Sequence, residues 1–309
     1  MKKGMELYRI KGYDNIKRIV INKKKLFIII LLLFIIVCLL ISLKNITESI
    51  KISKIVKQNE QQILQIQKEQ EEKEKQIAEE EERKRQEKIP KLTQEGIDNI
   101  KNIYHSETKR AFLTFDDGPS TVTPLILDTL KNENIKATFF MLGSNVEKKP
   151  ELVKRVYEEG HFIANHGYSH TYSQIYSSPN AVLDEYNKAN DAIKNAIGVP
   201  EYNSHLFRFP GGFAGGKYAQ IKIEAEKLLE ENQIVHVDWN ALTGDSETNK
   251  LVPENLMERL KTTTANKSSV VILMHDAQAK KVTAEILPQV IKYLREQGYE
   301  FKNFYEIIK

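Results

Sequence analysis

Eighteen consecutive residues without a charge, Leu26 to Leu43 (LFIIILLLFIIVCLLISL), constrain this chain more than any other stretch. As a helix rising about 1.5 Å per residue, the run nearly crosses a hydrocarbon core. A cleaved secretory signal is the competing reading. Its apolar region is usually shorter, however, and K-N-I-T-E-S follows here with no small-residue cleavage site. Residues 26–43 therefore read as an uncleaved membrane anchor. Lys17, Arg18, Lys23, Lys24 and Lys25 precede it, and basic flanks tend to stay in the cytoplasm. This makes 1–25 a basic cytoplasmic segment and places everything after Leu43 outside the cell. Cys38, the single cysteine, reads as small apolar filler within the span, and no intrachain disulfide can form.

The net charge of +4 comes from the same end of the chain: the first 43 residues hold nine basic and two acidic side chains. Residues 104–309 are slightly acidic, with 24 basic against 27 acidic groups, which argues against a nucleic-acid partner. Between the two, residues 44–103 form a charged helical stalk and linker, free of Gly and Pro as far as Lys88 and ended by Pro90 and Gly96. Ile52, Ile55, Ile63 and Ile66 give a fragment of a heptad-like stripe that Asn59, Gln62 and Glu69 interrupt. The spacing allows a coiled-coil dimer or a solvated spacer.

From about Arg110 the texture changes to short apolar runs alternating with amphipathic segments. The runs at 111–115, 137–142, 161–164, 206–209, 234–239 and 270–274 read as strands. Helical patterns near 122–133, 150–159, 179–197, 217–231, 253–265 and 282–297 follow them. Regular β-then-α alternation implies parallel strands with right-handed crossovers, and about 200 residues suit one closed or nearly closed β/α barrel. Strand C-terminal ends then converge on one face.

Four polar clusters fall at those ends. In T-F-D-D-G-P-S, Asp116 and Asp117 leave a strand in different directions and can serve different partners. The alternative is that one caps the next helix while the other is solvated. N-H-G-Y-S-H puts His166 and His170 four apart, so on a helical turn they share a face and, with a carboxylate from another strand, suit a divalent metal. Zn²⁺ leads the candidates, with Co²⁺, Fe²⁺ and Ni²⁺ also compatible. His161, within its strand, reads as a packed or surface residue. In F-R-F-P-G-G, Arg208 can hold a carboxylate by a bidentate pair ahead of the rigid Pro210 turn. In V-I-L-M-H-D, His275 ends a buried strand as a plausible general acid, provided that a carboxylate raises its pKa.

The order of these motifs over residues 104–309 resembles the polysaccharide deacetylase family, carbohydrate esterase family 4. The resemblance implies a distorted (β/α) barrel that uses a divalent metal to remove acetyl groups from polysaccharides. It implies Asp117, His166 and His170 as metal ligands, Asp116 as base, Arg208 as its orienting partner, His275 as acid and Leu273 as lining of the acetyl pocket. Two departures stand out. Gly167 replaces a usual Ser or Thr, and the acid's carboxylate partner is Asp245 or Asp238, with Asp245 favoured by its spacing. Ser246 stands where a Trp often follows. Trp239, the only tryptophan, either stacks on a sugar or packs in the core. A metal-dependent deacetylase of cell-wall peptidoglycan is the expected function. An O-acetyl esterase on xylan or another glycan, or a non-catalytic wall-binding scaffold, are the alternatives.

Overall fold

The computed structural model describes residues 22–247 and 251–308, so Lys17 and Arg18 of the basic cluster lie outside the described residues. The chain divides into two units, Met1–Glu81 and Glu82–Lys309. The described part of the first belongs to one unbroken helix, Lys23–Glu87, none of whose residues is buried. It is the one helix among the described residues long and apolar enough to cross a membrane. Its apolar half leaves Phe27 to Leu43 exposed, Cys38 included. Its charged half carries exposed pairs one turn apart, such as Lys75–Glu79 at 3.8 Å, each contributing only about 0.2–0.5 kcal/mol.

The helix stops at Glu87, just ahead of Pro90, but Gly96 does not end it. Gly96 lies inside a second, short helix, Gln94–Lys101, capped by Thr93. A Cβ there would come within 3.1 Å of the Ile308 backbone, so this glycine permits close packing rather than termination.

The second unit is built on an eight-stranded sheet in the order β5-β4-β3-β2-β1-β7-β6, with β8 beside β1. The strands are β1 Arg110–Asp116, β2 Thr138–Met141, β3 Phe162–Asn165, β4 Leu206–Phe207, β5 Val235–His236, β6 Ala241–Leu242, β7 Ser269–His275 and β8 Glu300–Lys302. Every pairing is parallel. No pairing joins β5 to β6 among the described residues, so the sheet is a half-barrel with an opening there.

The period of two sorts the strand residues into two cores. Leu113 and Phe115 of β1, Phe139 and Met141 of β2, and Val270, Ile272 and Met274 of β7 face outward under the helices. Phe112, Phe140, Phe162, Ala164 and Val271 face inward, where Ile100, Ile103 and the C-terminal Phe304, Ile307 and Ile308 fill the lower barrel. With the bottom plugged, the inward residues that remain near the strand C-terminal ends are Thr114, Asp116, Leu273 and His275. The chemistry therefore lies at that rim.

The helices Thr123–Asn132, Pro150–Glu158, Pro179–Ile197, Ala219–Glu231, Pro253–Thr264 and Lys281–Glu296 match the sequence pattern closely. The fifth strand is much shorter than its apolar run. Beyond His236 the carbonyls of Val237 and Asp238 accept from Arg208 instead of a neighbouring strand.

Candidate active site

Asp116 is the last residue of β1, paired across to His275 on β7 and to Phe140 on β2. Asp117 follows in the left-handed region, φ 73°, so the two carboxylates part. Asp117 Oδ1 lies 3.7 Å from His166 Nε2 and 3.6 Å from His170 Nε2. The three potential ligand atoms all fall within 4.8 Å of one another. The sequence reading placed the histidines on a helical turn. The structure instead puts them on a loop, with Gly167 at φ 81° and His170 at φ 55° turning the chain back toward Asp117.

The donor set fits a cation. Asp117 Oδ1 is buried and has no hydrogen-bond partner, a state that costs about 1–3 kcal/mol when nothing compensates it. Ligand atoms about 2.1 Å from a tetrahedral ion lie about 3.4 Å apart, close to the spacings seen. Nδ1–H of His166 donates to the Arg208 carbonyl at 2.8 Å, which leaves Nε2 as a free lone pair directed at Asp117. Burial pushes His166 down to about 3, so the ring is neutral as a ligand must be.

Arg208 is fully buried. Its Nη1 donates to Asp116 Oδ1 and to Thr114 Oγ1, both at 2.8 Å. Nε and Nη2 take the Val237 and Asp238 carbonyls at 3.1 and 3.0 Å, and the guanidinium lies 3.8 Å from the Phe140 ring centroid. The pair with Asp116 is thus single rather than bidentate, because the other donors are taken by backbone carbonyls. Burial pushes the Asp116 carboxyl up, against the opposing charges of Arg208 and His275, and makes it a stronger proton acceptor than a free aspartate.

Asp245, and not Asp238, faces His275. Its Oδ1 is 2.8 Å from His275 Nδ1, and its Oδ2 accepts from His275 N and Thr283 Oγ1, both at 2.8 Å. Burial pulls His275 down, but the bond and charge of Asp245, with Asp116 and Asp117 beyond, outweigh it and raise the imidazole above its ordinary value. Burial likewise opposes ionisation of Asp245, and the His275 bond wins and lowers it. Asp238 accepts from Phe213 N at 2.9 Å and so orders the turn after Pro210.

Leu273 is 4% exposed and points inward one pleat below His275. Trp239 packs against the inner core and under Gly212, where a Cβ would come within 2.9 Å of its ring. Pro210 is buried and its carbonyl accepts from Tyr176 at 2.6 Å. His161 is buried, as its packed reading expected.

Two organising carboxylates escaped the sequence reading. Buried Asp276 accepts from Ser120 Oγ at 2.7 Å and Thr123 Oγ1 at 2.6 Å, and its own N–H donates to the Asp116 carbonyl at 2.8 Å. Burial pushes Asp276 up to about 6. Gly118 leaves it room, since a Cβ there would lie 2.5 Å from Asp276 Oδ2. The H-D dipeptide places Asp276 at the same strand end as His275, but nothing local marks its partners. Glu185, on the helix Pro179–Ile197, binds the loop between the two histidines, and no local motif marks it.

The fold and site together define a parallel (β/α) half-barrel with carboxylates and imidazoles gathered at its strand ends. The family model described as polysaccharide deacetylase matches residues 104–227. A peptidoglycan-N-acetylglucosamine deacetylase of Bacillus cereus is 36% identical over 208 residues, 65% of this chain and 71% of that protein. Among solved structures, a CE4 esterase of Streptococcus mutans superposes with a TM-score of 0.61 at 30% identity, covering 67% of this chain and 90% of that one. A CE4 pseudoenzyme of Bacillus anthracis superposes with a TM-score of 0.55 at 26% identity, covering 66% and 67%. The chain belongs to the polysaccharide deacetylase family.

Proposed function

We propose that this chain hydrolyses the N-acetyl group of glucosamine units in peptidoglycan, releasing acetate and a free amine, from a position anchored outside the cytoplasmic membrane. The observation that carries this reading is the placement of a proton acceptor, Asp116, and a proton donor, His275, on paired strand ends beside the Asp117, His166, His170 cluster. Asp117, His166 and His170 would hold a divalent cation, Zn²⁺ foremost, which would supply the positive charge needed to acidify a water and polarise the acetyl carbonyl. Asp116 takes the proton of the attacking water, with Arg208 fixing the carboxylate's orientation. His275, kept protonated by Asp245, delivers a proton to the departing nitrogen, so that the C–N bond breaks to give acetate and amine. Leu273 offers the acetyl methyl an apolar wall.

The anchor reading rests on the apolar helical run from Leu26 to Leu43, exposed from Phe27 onward, and the stalk beyond it gives reach to an immobile wall polymer. Retention of both aspartates, both histidines and His275 supports an enzyme over a scaffold. An O-acetyl ester substrate uses the same residues. Purified full chain in detergent should release acetate from peptidoglycan in excess of any release from acetylxylan, while protease added to intact cells should remove residues 82–309. Acetate from xylan alone contradicts the substrate, and a protected domain contradicts the location.

A further inference from the structure

The loop that carries His170 is tied down from a side that the proposed chemistry does not use. Tyr168 N–H and Ser169 N–H both donate to Glu185 Oε2 at 2.7 Å, and Ser169 Oγ donates to Oε1 at 2.8 Å. Two consecutive backbone N–H groups aimed at one carboxylate oxygen form a charge-assisted nest, stronger than neutral bonds of the same length. Ser169 Oγ in turn accepts from Thr171 N at 3.1 Å, so the chain is held on both sides of His170. The Tyr168 side chain is clamped as well, its hydroxyl 2.8 Å from Glu147 and its ring 3.6 Å from Lys188 Nζ.

Gly167 is the counterpart of this arrangement. At φ 81° it takes a course that side chains with a Cβ rarely adopt, and a Cβ there would meet Ile175 Cδ1 at 3.0 Å and Glu185 Oε2 at 3.4 Å. A hydroxyl-bearing residue at 167 would crowd the space that the carboxylate occupies. The helix Pro179–Ile197 that carries Glu185 is anchored in the core through Val182, Tyr186 and Ala189, so the carboxylate approaches from a rigid support.

We propose that Glu185 is the positioning residue of the metal loop. Its carboxylate holds Tyr168 and Ser169 in the path that, through His170 at φ 55°, brings His170 Nε2 within 3.6 Å of Asp117 Oδ1. Glu185 touches no reacting atom, and its effect passes through the ligand's position. The inference rests on the reading of Asp117, His166 and His170 as cation ligands.

Zn²⁺ affinity of the full chain, measured by competition with a chromophoric chelator, tests it, alongside thermal unfolding in excess chelator. Glu185→Gln should lose roughly 10- to 100-fold in affinity, the usual range for removing an outer partner of a metal ligand, and should unfold within a few degrees of wild type without metal. Ser169→Ala, which removes one of the three bonds to Glu185 and the bond from Thr171 N, should lose several-fold, so the test does not hang on the folding of one variant. Wild-type affinity in both Glu185→Gln and Ser169→Ala overturns the proposal. Failure of the wild-type chain itself to bind one Zn²⁺ overturns the metal-site reading instead.

Discussion

The two sides of the pocket are built in different ways. On one, Asp117, His166 and His170 converge through a loop with left-handed residues at 117, 167 and 170, and Asp117 Oδ1 is left buried without a partner. On the other, Asp116 and His275 are register partners on neighbouring strands, and no buried side-chain atom of Asp116, Arg208, Asp245 or His275 lacks one. On the proposed reading a cation completes the first side, whereas the polar atoms of the second already satisfy one another. Binding and proton transfer should then be separable by mutation even though the two aspartates are adjacent.

The largest effect that would expose this separation is on rate. Asp116→Asn keeps the contact with Arg208 but loses the proton acceptor, and acetate release should fall by about 10² to 10⁴ with cation binding retained. A parallel loss of cation would show that the two sides are not independent.

A smaller effect is expected in the pH profile. Asp116 must be deprotonated, so activity is lost as pH falls through a value that burial holds above the free-aspartate range. His275 must be protonated, so activity is lost as pH rises through its raised value. Asp245→Asn removes the charge that opposes burial, and the upper limb should move to lower pH. The same pair links to stability with a definite sign. The contribution of His275 is fully present below the unfolded imidazole value and is lost as pH rises through the folded one. The contribution of Asp245 is present above the unfolded carboxylate value and is lost as pH falls through its lowered one. Asp238→Asn should have the least effect, loosening the turn at Phe213 without moving the upper limb. Movement of that limb in Asp238→Asn rather than Asp245→Asn would contradict the assignment.

Strand ends were the legible part of this molecule. Short apolar runs marked six of the strands, and polar residues at their ends are among those that converge, joined by Asp245, which its spacing favoured over Asp238. The strands Ala241–Leu242 and Glu300–Lys302 left no comparable pattern, being two and three residues long, and only one of those five residues is buried. The loop from His166 to His170 was misread as helical because four-residue spacing alone does not distinguish a helical turn from a chain reversed by positive-φ residues. Glu185 and Asp276 act through tertiary contact with backbone N–H groups and hydroxyls far along the chain, and such partners leave no local signature. Trp239 was ambiguous for a similar reason, since its packing under Gly212 depends on a turn held by tertiary contacts of Asp238 and Lys222.

Cation stoichiometry tests the central claim most directly. Full chain, wild type and variants, should be stripped with chelator, reloaded with Zn²⁺, passed through a desalting column and assayed for bound metal. One ion per chain is expected in wild type and in Asp116→Asn, and well under one in His170→Ala and Asp117→Asn. Equal metal in wild type and His170→Ala, or its loss in Asp116→Asn, would contradict the division of the pocket into a cation side and a proton-transfer side.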